Sequence, residues 1–169
     1  MTSNVPSDLT AQALAAAGNV GKKHPLMAPL DTSRIHNEKG VKELIKRLLN
    51  FHGWFTWMPG ANGFGTQGIS DHLAIKDGTF LTVEAKFGTN KPKPTQKAFA
   101  GQIIANSGFA FCVNEKNIDH LAMWLESFAI AQEYAKRAME KGENPDAAVP
   151  QEHGARMMNA IAVLTDLFA

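Results

Sequence analysis

The spacing of apolar residues changes near residue 37 of this 169-residue chain. Residues 1–33 are rich in Ala, Ser, Thr, Asn and Pro with weak periodicity, and we interpret them as an N-terminal arm with a short helix near residues 9–17. After Asn37, a good helix N-cap, apolar residues recur at helical spacing: Val41, Leu44, Ile45, Leu48 and Leu49. The pattern therefore predicts an amphipathic helix that Gly53 ends.

Strand-like segments follow this helix. WFTWM at 54–58 predicts a short strand, and the glycine-rich stretch PGANGFGTQG at 59–68 predicts a mobile loop. DHLAIK at 71–76 and TFLTVEAK at 79–86 flank Asp77-Gly78, a strong signal for a two-residue hairpin turn. FAFCVN at 109–114 predicts the last strand.

Helical patterns occupy much of the second half. One helix is expected to start near Thr95, and two more are expected at 118–141 and 152–167, separated by the breaker stretch GENPDAAVP. The resulting order is α-β-β-β-α-β-α-α, which predicts an α/β or α+β sheet flanked by helices. We divide the chain into the arm at 1–33, a core at 34–116 and a C-terminal helical extension at 117–169 that packs on the core.

Composition places the chain in an ordinary class. The residues are 44% apolar and 20% charged with a net charge of +1, as in soluble globular proteins. A near-neutral charge lacks the basic excess common in nucleic-acid binders, although a local basic patch would be enough. The single cysteine, Cys112, excludes an internal disulfide and a four-cysteine zinc site. With no apolar run of about 18 residues, we expect a cytoplasmic chain that does not enter a membrane.

Candidate chemistry comes from three charged residues in the hairpin segments. If Asp77 and Gly78 form the turn, outward pairing sets Asp71 opposite Glu84, with Cβ atoms about 5 Å apart. Alternation places Lys86 on the same face of the sheet. The alternative is a surface hairpin whose carboxylates are solvated and whose Lys86 pairs with one of them.

Two carboxylates this close repel each other, and a hard divalent cation would compensate. Mg²⁺ is held by one or two carboxylates together with water and substrate phosphate oxygens. A lysine on the same face could orient or activate the attacking water, or stabilise charge that develops on the phosphate. The spacing therefore assembles the parts of a metal-dependent phosphodiesterase.

At this point the motifs resemble a known family. GISD at 68–71, a hairpin of about a dozen residues, EAK at 84–86 and PTQK at 94–97 are similar to the PD-(D/E)xK nuclease signature, in particular its VRR-NUC and Holliday-junction-resolvase-like group. The resemblance covers about 38–115. It implies a restriction-endonuclease-like mixed β-sheet flanked by helices, with core order α-β-β-β-α-β, to which this chain adds C-terminal helices.

The resemblance also implies roles for individual residues. Asp71 and Glu84 would bind Mg²⁺ or Mn²⁺, Lys86 would be the catalytic lysine, and Gln96 would support the site. A glutamate of the first helix often completes such a site, and Glu38 and Glu43 are both available. Glu38 lies roughly 50° from the centre of the apolar stripe and Glu43 about 170° away, which favours Glu38.

Basic residues near the site suggest DNA contact. Lys91, Lys93 and Lys97 form a stretch without acids that could contact phosphates, or else a solvated linker. The cations of the first helix, Lys42 among them, are interpreted as its solvated face. The expected function is a metal-dependent DNA endonuclease, with branched DNA as a candidate substrate. The alternatives are a non-catalytic nucleic-acid-binding or assembly module on the same fold and an RNA- or junction-specific enzyme. The last helices could form a homodimer interface.

Overall fold

The computed structural model describes residues 32–60 and 66–168. The predicted helix near 9–17 and the central part of the glycine-rich loop lie outside these ranges. The described part has a short 3₁₀ turn at Thr32–Arg34 and then an α/β arrangement. The helices are α1 (Glu38–Phe51), α2 (Pro94–Ala105), α3 (Ile118–Glu140), α4 (Pro145–Ala148) and α5 (Gln151–Asp166). The strands are β1 (Phe55–Trp57), β2 (His72–Lys76), β3 (Thr79–Ala85) and β4 (Phe109–Val113).

The order of the main elements confirms the prediction. Asn37 caps α1, since its side-chain oxygen accepts a hydrogen bond of 2.9 Å from the backbone N–H of Gly40. The exception is α4, because the breaker stretch was expected to carry no helix. Asn144 caps this single turn by accepting from the backbone N–H of Asp146 at 3.0 Å, and Pro145 occupies the first helical position.

The four strands form one mixed sheet in the order β1-β2-β3-β4. β1–β2 and β2–β3 are antiparallel, whereas β3–β4 is parallel. The hairpin has the predicted register, with Lys76 opposite Thr79 and His72 opposite Val83. Asp77 and Gly78 form its turn with φ values of 48° and 77°, the left-handed conformation that a two-residue turn of type I′ requires.

The hydrophobic core lies on one face of this sheet. Leu81, Val83 and Ala85 of β3 point to that face and are fully buried. α1, α3 and α5 supply the other side of the same cluster, so the C-terminal helices share the core of the sheet. α2 packs against β3 and β4, and we place it on the opposite face, where Thr82, Glu84 and Lys86 are also buried.

Trp124 of α3 is the largest fully buried side chain. Its ring lies 4.9–5.9 Å from the rings of Trp54, Phe109, Phe111 and Phe128. These contacts place Trp124 in the hydrophobic core. Within the described ranges, no helix is both long and apolar enough to cross a membrane.

We expect Trp124→Ala to lower the free energy of unfolding by about 3–5 kcal/mol, because it removes a buried ring and leaves a cavity. Urea denaturation followed by far-UV circular dichroism measures the change. Met139→Ala, at a 61% exposed position of the same helix, is the matched control and should change stability by less than about 0.5 kcal/mol. A loss below about 1 kcal/mol for Trp124→Ala would contradict a shared core.

Candidate active site

The three charged residues of the hairpin gather where β2 begins and β3 ends. β2 starts at His72 and β3 ends at Ala85, so Asp71 and Lys86 each lie one residue outside a strand that was expected to contain them. This difference is within the usual spread of strand bounds. The β2–β3 ladder ends at the His72–Val83 pair, and Asp71, one residue before β2, is tied to the end of β3 by its side chain: its Oδ2 accepts a hydrogen bond of 3.0 Å from the backbone N–H of Ala85.

Glu84 is the centre of the site and is only 1% exposed. Its Oε1 accepts hydrogen bonds from the ammonium group of Lys86 and the amide group of Gln96. Its Oε2 is buried with no hydrogen-bond partner in the described structure. Burial raises the pKa of Glu84, the hydrogen bond from Lys86 opposes that rise, and the charge of Asp71 adds to it.

Gln96 is held in place by the start of α2. Its side-chain oxygen accepts a hydrogen bond of 2.8 Å from the backbone N–H of Lys93, one of the donors that a helix start leaves unpaired. The same amide then points its NH₂ group at Glu84. The structure therefore places Gln96 against the predicted metal ligand, as expected of a supporting residue.

A close backbone approach brings the glycine-rich loop to the same helix. Gly68 has φ +78°, and a Cβ atom at this position would lie 2.3 Å from the carbonyl oxygen of Thr95. Only glycine fits this contact without a backbone shift. The end of the loop nearest Asp71 thus packs on the start of α2, next to Gln96.

Lys42 belongs to this site, although the helical pattern predicts that it lies on the solvated face of α1. Its Nζ lies 2.8 Å from Asp71 Oδ1 and 3.1 Å from Glu38 Oε1. Burial lowers the pKa of Lys42, but hydrogen bonds and charges from Asp71 and Glu38 outweigh burial and raise it. The i,i+4 spacing of Glu38 and Lys42 was a sequence signal for their pairing, whereas the contact with Asp71 required the fold.

The two candidate glutamates of α1 have different surroundings. Glu38 is joined to Asp71 through Lys42, whereas Glu43 is exposed. Across residues 32–60 and 66–168, no three His, Cys, Asp or Glu side chains converge into a cluster that could hold a metal ion. The carboxylates of Asp71 and Glu84 lie at the ends of paired strands, and the carboxylate of Glu38 reaches them only through the Lys42 ammonium group.

The predicted phosphate-binding lysines lie just before α2 and in its first turns. Lys91 and Lys93 are exposed, and Lys97 is partly buried in the first turns of the helix. Since Lys93 donates its backbone N–H to Gln96, this basic segment is adjacent to Glu84. Its contact with DNA stays a prediction.

Two nearby groups have structural roles. Cys112 lies opposite Glu84 in the β3–β4 pair and is fully buried, and burial raises the pKa of its thiol to about 12. A buried thiol of this kind is unreactive and has a packing role. His72 is paired with Val83 and points to the core face, and burial lowers its pKa.

We expect the buried charge of Glu84 to give stability a defined pH dependence. Because its pKa is raised in the folded state, the folded chain binds more protons than the unfolded chain above about pH 4.5. This stabilising contribution is present below the unfolded pKa and is lost as the pH rises through the raised value. Urea unfolding in EDTA from pH 4.5 to 7.5 should show Glu84→Gln gaining stability relative to wild type as pH rises.

Glu43→Gln is the matched control, because it removes a carboxylate from an exposed position of α1. Its stability difference from wild type should show no such rise. A difference between Glu84→Gln and wild type that stays constant or falls with pH would contradict the burial of an ionised Glu84.

Comparison with known proteins gives no match to this chain, either among protein-family models or among curated proteins. The evidence for a function therefore lies in the residues and geometry of the site itself.

Proposed function

We propose that this protein is a metal-dependent endonuclease that hydrolyses DNA phosphodiester bonds at a site of the PD-(D/E)xK type. The observation that carries the proposal is the state of Glu84. One of its oxygens is bound by Lys86 and Gln96, while the other is buried, with no partner among the described residues, on the sheet face that Asp71 shares. A buried carboxylate oxygen without a partner is costly, and such a cost is common where a protein prepares a ligand site.

The donor set fits a hard divalent cation such as Mg²⁺ or Mn²⁺. Asp71 and Glu84 offer carboxylate oxygens at the ends of paired strands, and Glu38 stands behind Lys42 as a third carboxylate. One or two protein carboxylates are the usual set for Mg²⁺, since water and phosphate oxygens complete the octahedron. When bound, the cation would neutralise charge on the phosphate and favour ionisation of the attacking water.

The residues around the carboxylates would perform the other tasks. Lys86 is 7% exposed and its ammonium group is fixed against Glu84, where it would orient the attacking water or stabilise charge on the phosphate. Gln96 would keep the Glu84 carboxylate in one orientation. Lys42 neutralises Asp71 and Glu38 in the described structure, so it would hold both carboxylates in place before a cation arrives.

DNA would reach the site along the start of α2. Lys91 and Lys93 are exposed there, and the segment from 87 to 114 has no acidic residue. Contacts of lysines with phosphates are independent of sequence and weaken as salt concentration rises. Branched DNA remains our candidate substrate.

We expect the purified chain to cut DNA with Mg²⁺ or Mn²⁺ and not in EDTA. Asp71→Asn, Glu84→Gln and Lys86→Ala should each lower the cleavage rate by at least about 100-fold, because each removes a group that acts on the cation or the phosphate. Nicking and linearisation of supercoiled plasmid, together with cleavage of a labelled four-way junction, measure the rates.

Asp119→Asn is the matched control, since this carboxylate is exposed at the start of α3. It should cut at the wild-type rate. Cleavage by all three site variants at the wild-type rate would reject the mechanism. Binding of DNA without cleavage under every metal would favour the alternative, a non-catalytic nucleic-acid-binding module, and cleavage of RNA alone would change the substrate class.

The two glutamates of α1 should separate in the same assay. We expect Glu38→Gln to raise the Mg²⁺ concentration needed for half-maximal cleavage by about tenfold, because it removes the carboxylate linked to Asp71. Glu43→Gln should leave that concentration unchanged. The opposite result would assign the third carboxylate to Glu43, and no change in either variant would leave a site of two carboxylates.

A further inference from the structure

An aromatic surface lies on the same sheet face as the candidate site. Register places Phe55 opposite Ile75, Trp57 opposite Leu73, and Ile75 opposite Phe80, so these side chains share one face. By the same alternation, Asp71, Glu84 and Lys86 also belong to this face. α2 packs against β3 and β4, whereas the edge strand β1 and its neighbour β2 keep apolar side chains exposed here.

The exposed rings form a continuous row. Phe55 is 69% exposed and Trp57 is 39% exposed, and their ring centroids are 5.6 Å apart. Trp57 lies 6.4 Å from Phe80, the next ring of the row. The largest contiguous apolar patch on a monomeric protein is often functional, and these neighbouring rings are a candidate for such a patch.

This aromatic row begins beside the catalytic candidates. Trp57 is opposite Leu73, which lies two residues from Asp71 on the same face, a separation of about 7 Å along the strand. At the other end, Phe80 borders a depression of about 440 Å³ whose wall includes the polar side chains of Gln102 and Asn106. A chain that leaves the site along this face would therefore meet first aromatic rings and then amide groups.

The size and surroundings of the row favour nucleobases over a second copy of the chain. Covering Phe55, Trp57 and Ile75 completely would bury about 300 Å², whereas a stable dimer buries about 800 Å² per partner. Lys91 and Lys93 are exposed at the start of α2, which Gln96 links to Glu84, and they would complement a polyanion. Aromatic rings beside a basic groove are the combination that single strands require.

We propose that Phe55, Trp57 and Phe80 are a stacking surface for unpaired bases, so the DNA substrate carries single-stranded nucleotides next to the scissile phosphate. This inference rests on the proposed function for the identity of the ligand. It goes beyond that function because it names the structural feature of DNA that the chain recognises and the residues that recognise it.

Binding in EDTA tests the inference without cleavage. Fluorescence anisotropy should show that the double variant Phe55→Leu/Trp57→Leu binds a labelled single-stranded 20-mer and a forked duplex at least about tenfold more weakly than wild type. Binding of a blunt duplex should change by less than about twofold. Leucine keeps most of the apolar area and removes the π-face, so the pair separates stacking from simple hydrophobic contact.

Trp57 supplies a second readout that a purely structural role would not move. The chain has three tryptophans, and Trp54 and Trp124 are buried. Quenching of tryptophan fluorescence by the unlabelled 20-mer should therefore vanish in Trp57→Leu. Trp57→Phe should restore affinity without restoring the quenching. Met158→Ala, 65% exposed on α5, is the matched control and should bind as wild type.

Three results would overturn the inference. One is an unchanged affinity of the double variant for single-stranded DNA, and another is an equal loss for duplex and single strand. The third is a wild-type chain that sediments as a dimer and a double variant that sediments as a monomer, because a second copy would then occupy the surface. None of these binding measurements requires hydrolysis. A chain that binds as predicted but never cuts DNA would therefore contradict the proposed function and still support the stacking surface.

Discussion

The register of the β2–β3 hairpin is the constraint on which the candidate site depends. Asp77 and Gly78 both take positive φ values, and this two-residue turn fixes which residues face each other along the whole ladder. A slip of one residue would exchange the two faces of β3. Leu81 and Val83 would then leave the core, and Glu84 would enter it. Burial of the apolar face therefore stabilises the same register that holds Asp71 beside Glu84.

The two buried faces of β3 differ in polarity: one buries aliphatic side chains and the other buries charged ones. On one face, aliphatic side chains pack against α1, α3 and α5, where no charge needs a partner. On the other face, Glu84 is buried as a carboxylate, and its desolvation must be offset by Lys86 and by the amide of Gln96. Because α2 supplies Gln96, the helix that covers this face also completes the polar contacts. The position of α2 in turn depends on Gly68, whose lack of a side chain permits contact with Thr95.

Local patterns predicted the elements well, because capping, turn chemistry and apolar spacing act over a few residues. The hairpin register and the Asn37 cap could both be predicted in this way. Contacts between distant segments could not be predicted from these local patterns. Lys42 has the spacing of a solvated residue, and only the packing of α1 beside the start of β2 brings it to Asp71. Likewise, the exposed aromatic row became visible only when β1 was paired with β2, since alternation alone cannot say which face a helix leaves open.

The two carboxylate oxygens of Glu84 have different surroundings. Oε1 receives two donors and fixes the side chain, so this half of the carboxylate belongs to the packing of α2 on the sheet. Oε2 is buried and bound by neither. Lys42 pairs with Glu38 and Asp71, and Lys86 pairs with Glu84, so these three carboxylates share two ammonium groups, which leaves an excess of one negative charge when all five groups are ionised. An uncompensated charge near a buried atom is costly, and a divalent cation would supply the compensation in the proposed site. This imbalance, which no single residue of the motif contains, is the physical reason for regarding the cluster as a site of chemistry.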